Sequence, residues 1–263
     1  MTQEELESLE EEEHGVAIAI IALLMSATDS LRRRLTDEIA SWFGKYAKDG
    51  KYTYQQARKV LSVSELRDFN KKYGTKFKRL TRQRALRYAI ISTVSKLSPK
   101  IQYRFREIES KILGIENKAF GTSVEESSGI KWGADDKSAD ERIKAKVDLL
   151  ALAIVTDVQR TTLTSGSLKK ANESVNERMS TFDKALTLLL ITEATAYSSA
   201  IRKKVMKALG ISRYKFIATK DERTCPICSS LNGKIFPYSA YEVGVTASPI
   251  HPRCRCIEVP LFE

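Results

Sequence analysis

The sequence predicts a mainly α-helical protein, an elongated multi-helix body followed by a small C-terminal α+β module of short strands. Apolar residues recur at helical spacing through most of the chain, for example between Ile143 and Val158. The last fifty residues instead show strand-like alternation and turn signals. All four cysteines and one of the two histidines fall between residues 225 and 256. With 263 residues and 42% hydrophobic content, the chain is long enough for one large or two modest domains.

The chain begins with an acidic segment. Residues 1–14 hold seven acidic side chains and neither Lys nor Arg, and because like charges repel, we expect a flexible leader there. Residues 16–25 are all apolar, but a membrane span needs about 20 such residues and a signal peptide needs a positive start. We therefore expect residues 16–25 to form a buried helix, and the protein to be soluble with no membrane contact.

An N-terminal helical region extends over residues 15–120. Capping and turn signals divide it into several helices. The predicted boundaries are a turn at Asp49-Gly50, a helix start at Thr53, a capping box from Ser62 to Glu65, a break at Gly74, a helix over 77–97, and a further helix over 101–120 after Ser98-Pro99.

Residues 67–88 form a basic segment within this region. Outside the leader the chain carries 44 basic and 26 acidic residues, a formal charge of +18, which favours an anionic partner. The segment holds nine Lys or Arg and one Asp, interleaved with aromatic residues, a composition typical of nucleic-acid or phosphate surfaces. The alternative is a solvated helical face. Candidate contacts for a nucleic acid or a partner protein are Lys71, Lys72, Lys76, Lys78, Arg79, Arg82, Arg84 and Arg87.

Two of these arginines weigh against a purely solvated face. If the helix over 77–97 is continuous, Arg79 and Arg82 extend the apolar stripe of Leu86 toward the N-terminus. Its first turns then cannot enter the same core. We expect them to project outward or to meet a partner.

A polar stretch over residues 121–130 predicts a linker between this region and a C-terminal module. The module has a helical part over 131–212 and a β-rich tail over 213–263. The predicted elements are a helix that ends at Thr164-Ser-Gly166, a short helix capped by Ser167, and a long helix that starts at a capping box from Ser180 to Asp183 and ends at Gly210.

The cysteine cluster predicts one structural zinc ion. Cys225-x2-Cys228 places two thiolates in a small volume, and His251, Cys254 and Cys256 supply a second knuckle that can complete a tetrahedron. Five candidate ligands thus compete for four positions, and the sequence leaves the second pair open. A tail of short strands buries little apolar surface, whereas a structural zinc site supplies on the order of 10 kcal/mol of folding free energy.

Other interpretations of the cluster are less favoured. Disulfides fit poorly because the preceding 224 residues contain no cysteine and no signal peptide. A catalytic cysteine needs a free histidine as base, and His251 already has ligand spacing.

Asp221 and Glu222 could bind a second metal in a nuclease or toxin-like enzyme, but phosphate-binding glycine loops and Ser-His-Asp sets are missing. We therefore expect no enzyme. A zinc-containing DNA-binding protein is a third alternative, although no recognition helix follows Cys228.

Several sequence motifs of the chain resemble those of the minor head proteins of tailed bacteriophages, the head-morphogenesis family that includes the phage Mu F-like domain. The resemblance covers about residues 131–260. The motifs are Trp132 with Asp135-Asp136, Glu141-Arg142-Ile143, Gly166 between two helices, Thr192-Glu193, Asp221-Glu-Arg-Thr-Cys-Pro-Ile-Cys228 and His251-Pro-Arg-Cys-Arg-Cys256.

The resemblance implies a minor virion component at the portal vertex or capsid interior that acts in head assembly or DNA delivery. Portal, capsid or scaffolding proteins are the implied partners, with packaged double-stranded DNA as a further expectation. The implied locations are the virion and, during assembly, the host cytoplasm. One departure is Ile191, since the family usually has Arg before its Thr-Glu pair. The ion pair of that arginine is therefore absent, and we expect Glu193 to be an ordinary solvated or helix-pairing carboxylate.

Overall fold

The computed structural model describes residues 2–127, 129–219, 222 and 224–262. It confirms the mainly helical fold class with short strands near the C-terminus. The helices are α1 (Gln3–Tyr46), α2 (Tyr54–Ala57), α3 (Val63–Tyr73), α4 (Arg82–Ser95), α5 (Leu97–Phe120), α6 (Ala139–Thr164), α7 (Leu168–Ala208) and α8 (Pro226–Leu231). The strands are β1 (Lys131–Trp132), β2 (Lys137–Ser138), β3 (Arg213–Ile217), β4 (Ile235–Pro237) and β5 (Ile257–Leu261).

The chain forms two compact units, each built from separate stretches of sequence. Unit 1 comprises Met1–Leu24, Ile101–Ile143 and Ala185–Glu263, and unit 2 comprises Met25–Lys100 and Lys144–Lys184. The predicted linker over 121–130 does connect α5 to β1. It is not a domain boundary, because the residues on both sides of it belong to unit 1.

The acidic leader is helical, which corrects the expectation of a flexible segment. Residues 3–14 form the first turns of α1. Leu6 and Leu9 are buried and pack against Ile257 of β5. These apolar contacts, together with ion pairs described below, stabilise a helix that its own charge pattern opposes.

The apolar run over 16–25 is buried on one face only. Ala17, Ile20 and Leu24 are buried, whereas Ile18 and Leu23 are 42% and 57% exposed. The expectation of a buried helix is therefore correct for one side of α1. Within the described residues, one helix, Glu4–Tyr46, is long and apolar enough to cross a membrane by length and composition, a test that core helices also pass.

Three predicted helix starts are wrong. The helix expected over 101–120 begins at Leu97, with Pro99 inside its first turn. The helix expected over 77–97 begins at Arg82, because Thr81 caps it by accepting a hydrogen bond from the Arg84 N–H (3.3 Å), while the Asn70 side chain binds the backbone of Phe77 (2.9 and 3.1 Å). The start expected at Ser180–Asp183 does not exist, since α7 continues for 41 residues. Asp183 instead pairs with Arg32 in unit 2 (2.9 Å).

Other local signals are confirmed. Ser62 and Glu65 form the predicted capping box of α3, and Gly74 ends that helix in the left-handed region. Asp49 and Gly50 both have positive φ and close a turn between Lys48 and Lys51. Gly166, at φ 60°, is required for packing, because a Cβ there would lie 3.1 Å from the Tyr52 backbone.

The tail contains a three-stranded antiparallel sheet in the order β4-β3-β5. Tyr214 of β3 lies opposite Phe236 on one side and Pro260 on the other. One face of β3 contributes Phe216 to a small core whose other members are Ala218 and buried cysteines. The sheet therefore forms one wall of the cysteine cluster.

Candidate metal centre

The first half of the cluster lies at the start of α8. Cys225 is the N-cap of this helix and Pro226 its first residue. The Cys225 sulfur accepts a hydrogen bond from the Cys228 backbone N–H (3.3 Å), which turns both side chains toward the same volume. Cys228 is buried, whereas Cys225 keeps partial exposure.

The second half comes from the turn before β5. The Cys254 N–H donates to the His251 carbonyl (3.0 Å), which closes the turn, and Arg253 within it has φ 64°. Cys254 and Cys256 are buried. Because Cys256 directly precedes β5, the sheet fixes its position.

These residues form two overlapping triads that can hold a metal ion: Cys225, Cys228 and His251, and Cys228, Cys254 and Cys256. The ligand atoms within each triad all lie within 4.8 Å of one another. Cys228 belongs to both triads. Its sulfur lies 3.8 Å from that of Cys254 and 3.3 Å from Nε2 of His251. Tetrahedral zinc with ordinary bond lengths requires about 3.8 Å between two sulfurs and about 3.6 Å between sulfur and nitrogen.

The orientation of His251 suits a ligand that binds through Nε2. Its Nδ1 lies 2.8 Å from the Pro252 carbonyl, and a carbonyl oxygen can only accept a hydrogen bond. Nδ1 therefore carries the proton, which leaves the lone pair on Nε2, the atom that faces Cys228. Metal-binding histidines are commonly oriented in this way.

Deprotonation of one thiol in the cluster disfavours deprotonation of its neighbours. Hydrogen bonding to Cys256 lowers the pKa of Cys254 to about 5, and the same contact raises the pKa of Cys256. Burial raises the pKa of Cys228 to about 12, while hydrogen bonding to the Cys228 backbone lowers the pKa of Cys225. A divalent cation removes this competition, because it stabilises several thiolates at once.

All four cysteines are free thiols, as the metal interpretation requires. Glu222, one of the two acids that could bind a second metal, is exposed. Asp221, the other, lies outside the described residues, and no metal-binding group among the described residues contains Glu222.

A second cluster, of hydrogen-bonded side chains, joins several of the motifs that carry the family resemblance. Trp132 Nε1–H donates to Glu193 (2.9 Å), and Arg142 donates to the same carboxylate (3.0 and 3.3 Å). Arg142 also binds Asp135 (2.5 Å) and the Trp132 carbonyl (2.6 Å), with its guanidinium 4.5 Å from the Trp132 ring centre. Through Arg142 and Glu193, the turn between β1 and β2 is tied to α6 and α7.

Glu193 is therefore the helix-pairing carboxylate of the two expected alternatives, and not a solvated one. Its side chain is only 3% exposed, and burial raises its pKa although Trp132 and Arg142 act in the opposite direction. Its cation is Arg142 of the neighbouring helix α6.

A buried ionic cluster around Arg202 was missed from the sequence. Arg202, on α7, is fully buried and binds Glu10 (2.9 Å) and Glu116 (2.6 Å), with Glu13 at 3.9 Å. Ser198, one turn earlier on α7, donates to Glu13 (2.7 Å). The available signal was Ser198 and Arg202 at i and i+4, a polar line beside the apolar stripe of α7.

Eight of the nine basic side chains of the segment, which lies in unit 2, are exposed. Arg82 differs, since it is half-buried with its guanidinium 4.1 Å from the Tyr46 ring centre. The interleaved aromatics pack on one another, with ring centroids 4.6 to 6.3 Å apart, so they are not free stacking platforms. These are Phe69, Tyr73, Phe77 and Tyr88. The exposed candidate cations are Lys71, Lys72, Lys76, Lys78, Arg79, Arg84 and Arg87, of which Lys72 pairs with Glu38 (2.6 Å).

The candidate metal ligands and the elements α7 and β3 lie in a region that matches a known sequence family. Residues 153–259 match the family model described as Phage Mu protein F like protein. The match confirms the resemblance in the C-terminal half. It includes all five candidate metal ligands and Glu193, whereas Trp132 and Arg142 precede it. No curated protein and no solved structure matches the chain.

Proposed function

We propose that the chain is a structural minor head protein of a tailed phage, acting in head morphogenesis at the portal vertex or capsid interior. The observation that carries this proposal is the Mu F-like match over residues 153–259, in which the metal-binding triads lie. The role is architectural rather than catalytic, and the protein is a component of the virion.

The metal is zinc, one ion per chain. Sulfur and imidazole donors at near-tetrahedral separations favour zinc over the oxygen-seeking calcium and magnesium ions. Cys228 is a ligand in every arrangement, because both triads contain it. When bound, the ion fastens α8 to the turn before β5.

The partners are the portal protein and the capsid or scaffolding proteins. To test this, the chain is expressed together with the head and portal proteins of the genome that encodes it, and particles are purified by density and size. The proposal predicts that the chain sediments with heads or with portal rings. Particles of normal composition and number that lack it at every stage would overturn the proposal.

The exposed cations of residues 67–88 contact packaged DNA. Seven of the eight candidate side chains are exposed, and cationic contacts to phosphates release counterions. The acidic side chains near the segment, such as Glu38 beside Lys72, neutralise only part of it.

Replacing Arg84 and Arg87 by Glu should weaken binding to a labelled DNA duplex roughly tenfold or more at low salt, since two favourable phosphate contacts become repulsive. The measurement is fluorescence anisotropy over a range of salt concentrations. Wild-type affinity should fall steeply as salt rises, and the slope should be smaller in the variant. The matched control reverses Lys169 and Lys170, which lie outside the segment. Equal affinities of all three proteins would exclude a DNA contact at this segment.

A further inference from the structure

A cleft of about 1120 Å³ lies in unit 1 between the leader and residues 251–256, the second half of the candidate metal site, which we call the knuckle. Apolar side chains contribute to its lining, among them Ile112 of α5 and Ile191 and Ala194 of α7. This volume lies slightly above the usual range for small-molecule sites. The candidate ligands His251 and Cys254 also line the cleft, so it borders the proposed zinc site, whereas no residue of the basic segment lines it.

Residues of opposite charge line the cleft. Glu7 and Glu11, one helical turn apart on α1, contribute from the leader. Lys215 of β3 contributes from the sheet, and Arg253 and Arg255 from the knuckle. The knuckle side of the lining therefore carries cations, and the leader side carries carboxylates.

The knuckle fixes one of these cations by an unusual backbone conformation. Arg253 has φ 64°, a region that residues other than glycine rarely adopt. It lies between two candidate ligands, His251 and Cys254, which the Cys254 N–H to His251 carbonyl hydrogen bond also joins (3.0 Å). Such strain persists where the surroundings over-determine the backbone, and it is concentrated at functional sites.

Leu6, Leu9 and Glu10 hold the leader in place. Leu6 and Leu9 are buried against the sheet, and Glu10 pairs with Arg202 (2.9 Å). Glu7 and Glu11 are exposed. The anchored helix thus presents carboxylates to the cleft that Arg253 and Lys215 also line.

We propose that the knuckle side of this cleft is a second anion-binding surface, that its ligand is the phosphodiester backbone of a nucleic acid, and that Glu7 and Glu11 mask it. The nature of the ligand rests on the proposed role beside packaged DNA, but the residues are different from those of the basic segment. The leader acts as an internal counter-charge, which an incoming phosphate chain must outcompete.

The test compares Glu7→Gln/Glu11→Gln with Glu4→Gln/Glu12→Gln. Both variants remove two negative charges from the leader, but only the first pair lines the cleft, and Glu4 and Glu12 are exposed elsewhere on α1. Binding is measured by fluorescence anisotropy with a labelled duplex and, separately, a labelled single strand of the same length. The first variant should bind about threefold to tenfold more tightly than the control variant at low salt, and the difference should shrink as salt rises.

Adding Arg253→Gln/Arg255→Gln to the first variant should abolish the gain. Adding Lys215→Gln instead, on β3 and away from the knuckle, should reduce it, which keeps the test valid if the knuckle variant misfolds. Bound zinc is measured in every variant as the check on folding. A gain equal to that of Glu4→Gln/Glu12→Gln, or one that persists without Lys215, would overturn the inference.

The two DNA-binding proposals fail in different ways. If Arg84→Glu/Arg87→Glu weakens binding while Glu7→Gln/Glu11→Gln has no effect, the masked surface is wrong and the basic segment stands. If no variant binds either nucleic acid, both are wrong. A gain seen with the duplex alone or with the single strand alone identifies which source of phosphodiester the cleft prefers.

Discussion

At the scale of single residues, the buried charges of unit 1 are held by specific partners. Glu193 is 3% exposed and Arg142 14% exposed, and they share an ion pair that Trp132 reinforces. Removing one member of a buried pair leaves the other charge unpaired, which destabilises a protein far more than losing a surface pair. Arg142 should therefore be among the most sensitive positions of the helical framework.

Replacing Arg142 by Met should lower the free energy of unfolding by roughly 3–5 kcal/mol, because Glu193 stays buried without its cation. Lys144→Met, two residues later on α6, removes the pair to Asp148, in which both side chains are more than half exposed, and should change stability by at most about 1 kcal/mol. Urea unfolding followed by circular dichroism measures both. Equal effects would mean that the cluster contributes no more than a surface pair.

At the scale of elements, the first turns of α1 depend on a site that titrates. Burial raises the pKa of Glu10 from 4.5 to about 7, and burial followed by the charge of Glu116 raises the pKa of Glu13. Arg202 opposes both shifts. Besides Arg202, the ionisable groups that face this pair are Glu116 on α5, Glu258 on β5 and, next to Arg202, Tyr241.

A carboxyl group whose folded pKa is raised contributes its full stability below the unfolded pKa and loses it as pH rises through the folded pKa. Unit 1 should therefore become less stable between about pH 4.5 and pH 7, the window of Glu10. Urea midpoints of the wild type should fall across this range. Glu10→Gln should flatten the dependence, whereas Glu12→Gln, exposed on the same helix, should leave it unchanged. A pH profile that is the same in all three proteins would contradict this account of the leader.

At the scale of the whole molecule, what the sequence reveals depends on how far apart the interacting residues lie. Caps and turns such as Ser62–Glu65 act within four residues, so they could be predicted. The cysteine knuckle could be predicted because few chemical causes gather four cysteines into 32 residues. The order of the leader could not, since it depends on Arg202, 192 residues from Glu10.

The division into two units also depends on contacts between distant parts of the sequence, so it could not be predicted. A boundary was predicted at the polar stretch over 121–130, yet unit 1 collects three separate stretches of chain. Sequence composition identifies a loop but not which helices pack beside it. A helix-pairing role was one of two alternatives expected for Glu193, but its partner could not be predicted, because Arg142 lies 51 residues earlier and on another helix.

Zinc content tests the central claim, that a metal ion fastens the tail, most directly. Protein purified without added metal, and analysed by inductively coupled plasma mass spectrometry, should contain about one zinc per chain. The neighbouring control Ser229→Ala should retain it, and Cys228→Ser should lose it, because Cys228 belongs to both triads. A wild-type protein free of zinc whose tail resists proteolysis as well as the zinc-loaded form, or a Cys228→Ser variant with full zinc, would contradict the account.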